Sequence, residues 1–293
     1  MRRLTAPRPP NPLVSALLAT SLSGDGPRRA YVDGPFGQVH LRGVRARVVP
    51  CKRPLYALHQ SPKSGLEMEK LLACFMDRDA VAPDYPGYGL SDPPPAEAAA
   101  TIEAYAESVW AIADALGHER IDLFGNHAGA KVAAAMAMAC PQRVGAVVMV
   151  SAALLTEEER AAFEAYFQPV PLDAAGTRFT TMWARIHRHA GPGVTLEMKA
   201  RSFLQNMMGG EAYEWGHAAA FAYDAPFREA LATLPHPILV LNPEDELTEA
   251  TRRAAGLIRR GRVLELPGWG HGLLELHAAE LAALIADFVD QAA

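Results

Sequence analysis

From residue 31 onward, short apolar runs alternate with amphipathic stretches, the pattern of an α/β protein with a mostly parallel central sheet flanked by helices. Residues 39–41 and 46–49 read as an opening hairpin, and 55–58 as a short buried strand followed by a helix over 65–76. A strand at 79–82 ends in the turn-rich run 83–89. Residues 101–116 carry apolar side chains at helical spacing, and Gly117 is placed to cap the C-terminal end. The unbroken apolar runs 144–150 and 238–241 predict strands covered on both faces.

Two regions depart from this alternation. Ahead of it, residues 1–28 read as a flexible extension, or a short helix after Pro12, before a domain that begins near Arg29. Met1-Arg2-Arg3 and the apolar stretch 13–22 loosely imitate a signal peptide, but Pro7, Pro9, Pro10 and Pro12 interrupt the approach. Between the strands at 144–150 and 238–241, residues 154–234 hold charged helical segments, glycine breaks and large aromatics. An insertion of that length at the C-terminal edge of a sheet predicts a helical cap, with 29–153 and 235–293 as the core. Trp183, Tyr213, Trp215, Phe221 and Tyr223 are candidates to face a pocket, unless they form only the small core of the cap.

At 293 residues and 50% hydrophobic content, the chain is long enough for one large domain carrying such an insertion. A net charge of −5 argues against a nucleic-acid partner. No apolar run reaches the roughly 20 residues that span a bilayer. Three cysteines without paired spacing imply neither a disulfide framework nor a zinc cluster, and a cytoplasmic protein is expected.

The chemistry concentrates at Gly125-Asn126-His127-Ala128-Gly129. This fits the nucleophile elbow Gly-x-Ser-x-Gly, in which a strand turns sharply into a helix and lifts a reactive side chain above the sheet. The frame is intact, with the apolar run 121–124 entering the turn and an alanine-rich segment leaving it. The nucleophile position holds a histidine.

After residue 29 the chain resembles the α/β-hydrolase fold superfamily over nearly its whole length, on four matches in order. Leu58-His59-Gln60-Ser61-Pro62 is similar to the loop that supplies one oxyanion-hole donor, and residues 82–92 to the loop after the next strand. The elbow is third, and Leu266-Pro267-Gly268-Trp269-Gly270-His271-Gly272 resembles the loop bearing the catalytic histidine. The resemblance implies His271 as that histidine and backbone donors at Ala128 and Ser61, with Gln60 adjacent. It places the acid in residues 242–247: Glu246 if Pro243 stands where the family has glycine, which the strand-to-turn register favours, or Asp245 if Asn242 does. His59 is expected to support its loop. His40, His118, His189, His236 and His277 read as surface or packing residues, while His187 and His217 belong to the cap.

A histidine at the elbow can attack an acyl carbon, act as a general base, or hold a substrate while His271 moves the proton. Two imidazoles in one pocket, with a carboxylate behind one, favour one neutral base and one cationic acid. The expected function is therefore an enzyme acting on a small or medium apolar carbonyl or ester compound. Its reaction would be hydrolysis or a cofactor-free lyase, decarboxylase or cyclase step. The alternative is a non-catalytic descendant that binds a ligand or partner. His127, His271 and Glu246 can together hold a transition metal, but no local ligand motif accompanies them, and neither metal nor cofactor is assigned.

Overall fold

The computed structural model describes residues 11–49 and 51–292. Its eight strands are β1 (Arg28–Gly34), β2 (Gly37–Val44), β3 (Lys52–Leu58), β4 (Arg78–Pro83), β5 (Ile121–Asn126), β6 (Val144–Val150), β7 (Ile238–Pro243) and β8 (Gly261–Leu266). They form one sheet in the order β1-β2-β4-β3-β5-β6-β7-β8. Only β2 pairs antiparallel, with β1 and β4; every other pairing is parallel. Every residue of β5, β6 and β7 is buried, which explains their unbroken apolar runs.

Helices α1 (Pro12–Ser21), α2 (Glu69–Leu72), α3 (Ile102–Leu116) and α4 (Ala128–Ala139) precede β6. Five more, α5 (Glu157–Tyr166), α6 (Thr177–His189), α7 (Leu196–Met208), α8 (Trp215–Ala222) and α9 (Asp224–Thr233), lie between β6 and β7. The chain closes with α10 (Thr248–Arg252), α11 (Leu273–Leu276) and α12 (Ala278–Gln291). The ends of α3 follow the expected chemistry: Thr101 Oγ1 accepts from the Ala104 amide at 3.1 Å, and Gly117 closes the helix at φ 74°.

Three expectations need correction. The opening hairpin joins β1 to β2 through a turn at 34–37, and residues 46–49 belong to no strand. Alternating burial of Ala30 and Val32 forms β1, a signal masked by its charged neighbours. The helix expected over 65–76 is a 3₁₀ turn (Gly65–Met68) running into the short α2. It stops early because the carbonyls of Met76 and Asp77 accept from the amides of Arg47 and Lys52, at 2.7 and 2.8 Å, as the chain enters β4. Of the two readings of the extension, the short helix after Pro12 is the one that forms beyond residue 10 and not a free arm: α1 packs on α3, burying Leu18 and Leu22. Ser15 Oγ also donates to the Ala115 carbonyl at 2.7 Å. The rest of that extension, residues 1–10, lies outside the described residues.

The sheet order reverses direction between β3 and β5, and the C-terminal ends of the two strands lie side by side there. Open α/β sheets bind ligands at such a switch point. Among the described residues no helix is long and apolar enough to cross a membrane.

Candidate active site

The elbow forms at the end of β5. His127 adopts φ 49° and ψ −111°, a region that costs a residue with a Cβ about 1–3 kcal/mol. Its neighbours show why glycine stands on either side. A Cβ on Gly125 would come within 2.3 Å of the Gly129 carbonyl oxygen, and one on Gly129 within 2.1 Å of the Leu58 carbonyl oxygen. The alanines of α4 let that helix sit close against the sheet, and the His127 amide donates to the Val150 carbonyl at 3.0 Å.

His127 and His271 come together over the sheet, with ring centroids 5.3 Å apart and planes tilted by 27°. Each ring has a carboxylate. Glu246 Oε2 accepts from His271 Nε2 at 2.8 Å, which resolves the choice of partner for His271. Asp245 Oδ2 lies 3.5 Å from His127 Nε2. Both acids named from the sequence are therefore in the site, on different imidazoles.

Asp245 is held in place by neighbours that sequence reasoning passed over. Ser151, at φ 51° just past β6, donates from Oγ to Asp245 Oδ2 at 2.7 Å, and the Leu247 amide donates to Oδ1 at 2.8 Å. His189, expected as a surface or packing residue, instead stands at the end of α6 with Nδ1 3.4 Å from Glu246 Oε2. Nothing in the local sequence signals this, because only the folding of the cap carries α6 to the acid.

The charges on the two rings diverge. Burial pushes the His127 pKa below its usual 6.5; Asp245 pulls it back in part, and charge on His271 depresses it further. For His271 burial also opposes charge, but the hydrogen bond and charge of Glu246 outweigh it and the pKa rises. Burial works against the charge of Glu246 too, yet hydrogen bonds from His189 and His271 hold its carboxyl well below the usual range. The two shifts run in opposite directions, so His271, backed by Glu246, holds a proton to higher pH than His127 does.

Both rings line a cavity of about 270 Å³, together with Gln60, Ser61 and Ala128. The Ala128 amide is the first of α4 and has no partner within that helix. His59 supports the facing loop as expected: Nδ1 donates to the Gln60 carbonyl at 2.8 Å and Nε2 accepts from the Tyr85 amide at 3.0 Å. Burial lowers its pKa to about 4 and keeps it neutral. Lys63, from the same loop, is held by the Ser202 carbonyl at 3.1 Å and Asn206 Oδ1 at 2.5 Å, and burial lowers its pKa to about 8.

Of the cap aromatics expected at the pocket, only Phe221 lines it, joined by Phe163, Phe167 and Phe227. Trp183, Trp215 and Tyr223 do not. Trp183 packs edge-on against His187 and Phe203, at centroid distances of 4.7 and 5.8 Å. Trp215 and Tyr223 join the apolar core under α8 and α9, where those helices meet α4. Tyr213 is buried, its hydroxyl accepting from the Val170 amide at 2.6 Å. Of the two cap histidines left open, His217 lines the cavity, paired with Glu214 at 2.5 Å, and His187 does not.

Two groups of side chains could hold a metal ion: His127 with Asp245 and His271, and His189 with Glu246 and His271. In each, the ligating atoms lie within 4.8 Å of one another.

Comparison with known proteins agrees with this architecture. A family model described as the alpha/beta hydrolase fold matches residues 53–278. The chain is 26% identical over 226 residues to a 2-hydroxymuconate semialdehyde hydrolase of Pseudomonas sp. (strain CF600), covering 73% of this chain and 77% of that protein. Similar solved structures include an esterase from Thermogutta terrifontis, with a TM-score of 0.71 at 20% identity, covering 90% of this chain and 99% of that one. Another is epoxide hydrolase A from Mycobacterium thermoresistibile, with a TM-score of 0.71 at 21% identity and coverage of 90% and 98%.

Proposed function

The chain belongs to the α/β-hydrolase fold family, and on that premise we propose that it is an enzyme acting on a small or medium apolar carbonyl or ester compound. His127 takes the serine's place in its reaction. One observation carries this reading: the imidazole of His127 and the carboxylate-backed imidazole of His271 face one cavity with ring centroids 5.3 Å apart.

For an ester, the steps balance as follows. A ring nitrogen of neutral His127 attacks the acyl carbon, and the carbonyl oxygen becomes an oxyanion that accepts from the amides of Ala128 and Ser61. Protonated His271 gives its remaining N–H proton to the leaving alkoxide while Glu246 keeps its orientation. Water then attacks the resulting acyl-imidazolium, neutral His271 takes one water proton, and the acid departs with neutral His127 and protonated His271 restored. Four phenylalanines on the cavity wall suit an apolar substrate.

The same base and acid can move a proton at carbon without a covalent intermediate, as a lyase, decarboxylase or cyclase would. Hydrolysis is preferred because the relatives named above are hydrolases by name. The test is steady-state hydrolysis of a p-nitrophenyl butyrate series. His127→Ala and His271→Ala should each lower turnover at least about 10³-fold, the scale of triad removal. Unchanged turnover in either variant contradicts the mechanism. Ligand binding without turnover in the parent protein would establish the binder instead.

A further inference from the structure

The main cavity and a second groove share part of their wall, including His189 and Glu246. There, two rings converge on one oxygen: Glu246 Oε2 lies 2.8 Å from His271 Nε2 and 3.4 Å from His189 Nδ1. The three donor atoms come from three elements, namely the end of α6 and the loops after β7 and β8. We propose that His189, Glu246 and His271 form a site for a divalent transition ion of the zinc type, fastening the end of α6 to the core.

The separations suit it. A tetrahedral ion with bonds of about 2.0–2.1 Å sets neighbouring ligand atoms about 3.3–3.4 Å apart. The two carboxylate–imidazole separations, 2.8 and 3.4 Å, lie within about half an ångström of that value, and all three donor atoms lie within 4.8 Å of one another. Two imidazoles and one carboxylate are a donor set that zinc, cobalt and nickel accept, and the cavity side leaves the fourth position to water.

His189 is also aimed as a ligand. Its Nε2 lies 3.1 Å from the Tyr166 hydroxyl, the oxygen partner that metal-binding imidazoles usually carry on their second nitrogen, which leaves Nδ1 for the ion. Among the described residues Glu246 has no hydrogen-bond or ion-pair partner besides these two histidines. In the alternative group around His127, both oxygens of Asp245 are already engaged by Ser151 and Leu247. The ion would take the place of the proton between His271 and Glu246, so binding releases a proton. The ion would share His271 and Glu246 with the proposed catalytic set and would remove the protonated His271 that hydrolysis uses, but its binding is read directly by titration and does not require turnover.

The experiment is titration of the full-length, chelator-stripped protein with Co²⁺, followed by visible absorption, and with Zn²⁺ by calorimetry. The expected result is one ion per chain with the visible bands of four-coordinate cobalt. His189→Ala should weaken binding at least about tenfold, and Tyr166→Phe severalfold through loss of the orienting hydroxyl. His127→Ala should leave affinity within about twofold. If His189→Ala fails to fold by circular dichroism, His189→Gln and Tyr166→Phe carry the test. Absence of saturable binding by the parent protein overturns the site. So does affinity that survives at position 189 variants, or that disappears with His127→Ala, which would put the ion on the other group.

Discussion

The central sheet and the cap differ in how completely they are buried. In β5, β6 and β7 every residue is buried and most are aliphatic. In the cap the buried set includes Arg178, Gln205, Asn206 and Glu214, while α5 buries no residue at all. The ion pair Arg185–Glu214, at 2.8 Å, crosses the cap's packing. Apolar burial stabilises the sheet outright, whereas a desolvated ion pair returns little net free energy. Phe163, Phe167 and Phe221 of the cap are part-exposed and line the cavity, so apolar surface that would have stabilised this region is left to meet a ligand.

Substitutions on the two sides should therefore part company. Leu241→Ala, at a fully buried position of β7, should cost about 2–5 kcal/mol in urea unfolding. Phe221→Ala should cost clearly less stability, yet lower kcat/KM for an apolar ester by about 10–200-fold, as expected for lost contact in an apolar pocket. Equal stability losses at the two positions would remove the distinction. Trp183→Ala marks the lower end: it removes an aromatic that does not line the cavity, and kcat/KM should stay within about twofold. A large loss there would return this tryptophan to the pocket.

The pH dependence sharpens the comparison between the two rings. The reaction needs His127 neutral and His271 protonated. With the first pKa below 6.5 and the second above it, kcat/KM should rise with pH through the His127 pKa and fall through that of His271. The profile is a bell whose top lies between the two pKa values. A profile that only rises with pH would mean that His271 works as a base and not as an acid.

How much of this was legible in the sequence follows the same division. Strands covered on both faces declared themselves as apolar runs, and the elbow did so because its glycines answer to contacts at 2.3 and 2.1 Å that no other residue can satisfy. The pairing of Glu246 with His271 was readable from the register of residues after β7. No local pattern marks Ser151, whose hydroxyl holds Asp245. The cap resisted because its large aromatics divide between core and cavity according to how five helices pack, which spacing does not encode. Trp215 and Tyr223 went to the core and Phe163 and Phe221 to the cavity. His189 was invisible for the same reason: it meets Glu246 across 57 positions of sequence only because α6 ends there.

The most direct test of the unequal pair at the elbow is a titration of the histidine rings by ¹⁵N–¹H nuclear magnetic resonance, with assignments from single His→Gln variants. The account predicts that His127 titrates below 6.5 and His271 above it, and that His271→Gln raises the His127 pKa by removing a neighbouring charge. Two rings that both titrate near 6.5 and ignore each other's replacement would contradict it.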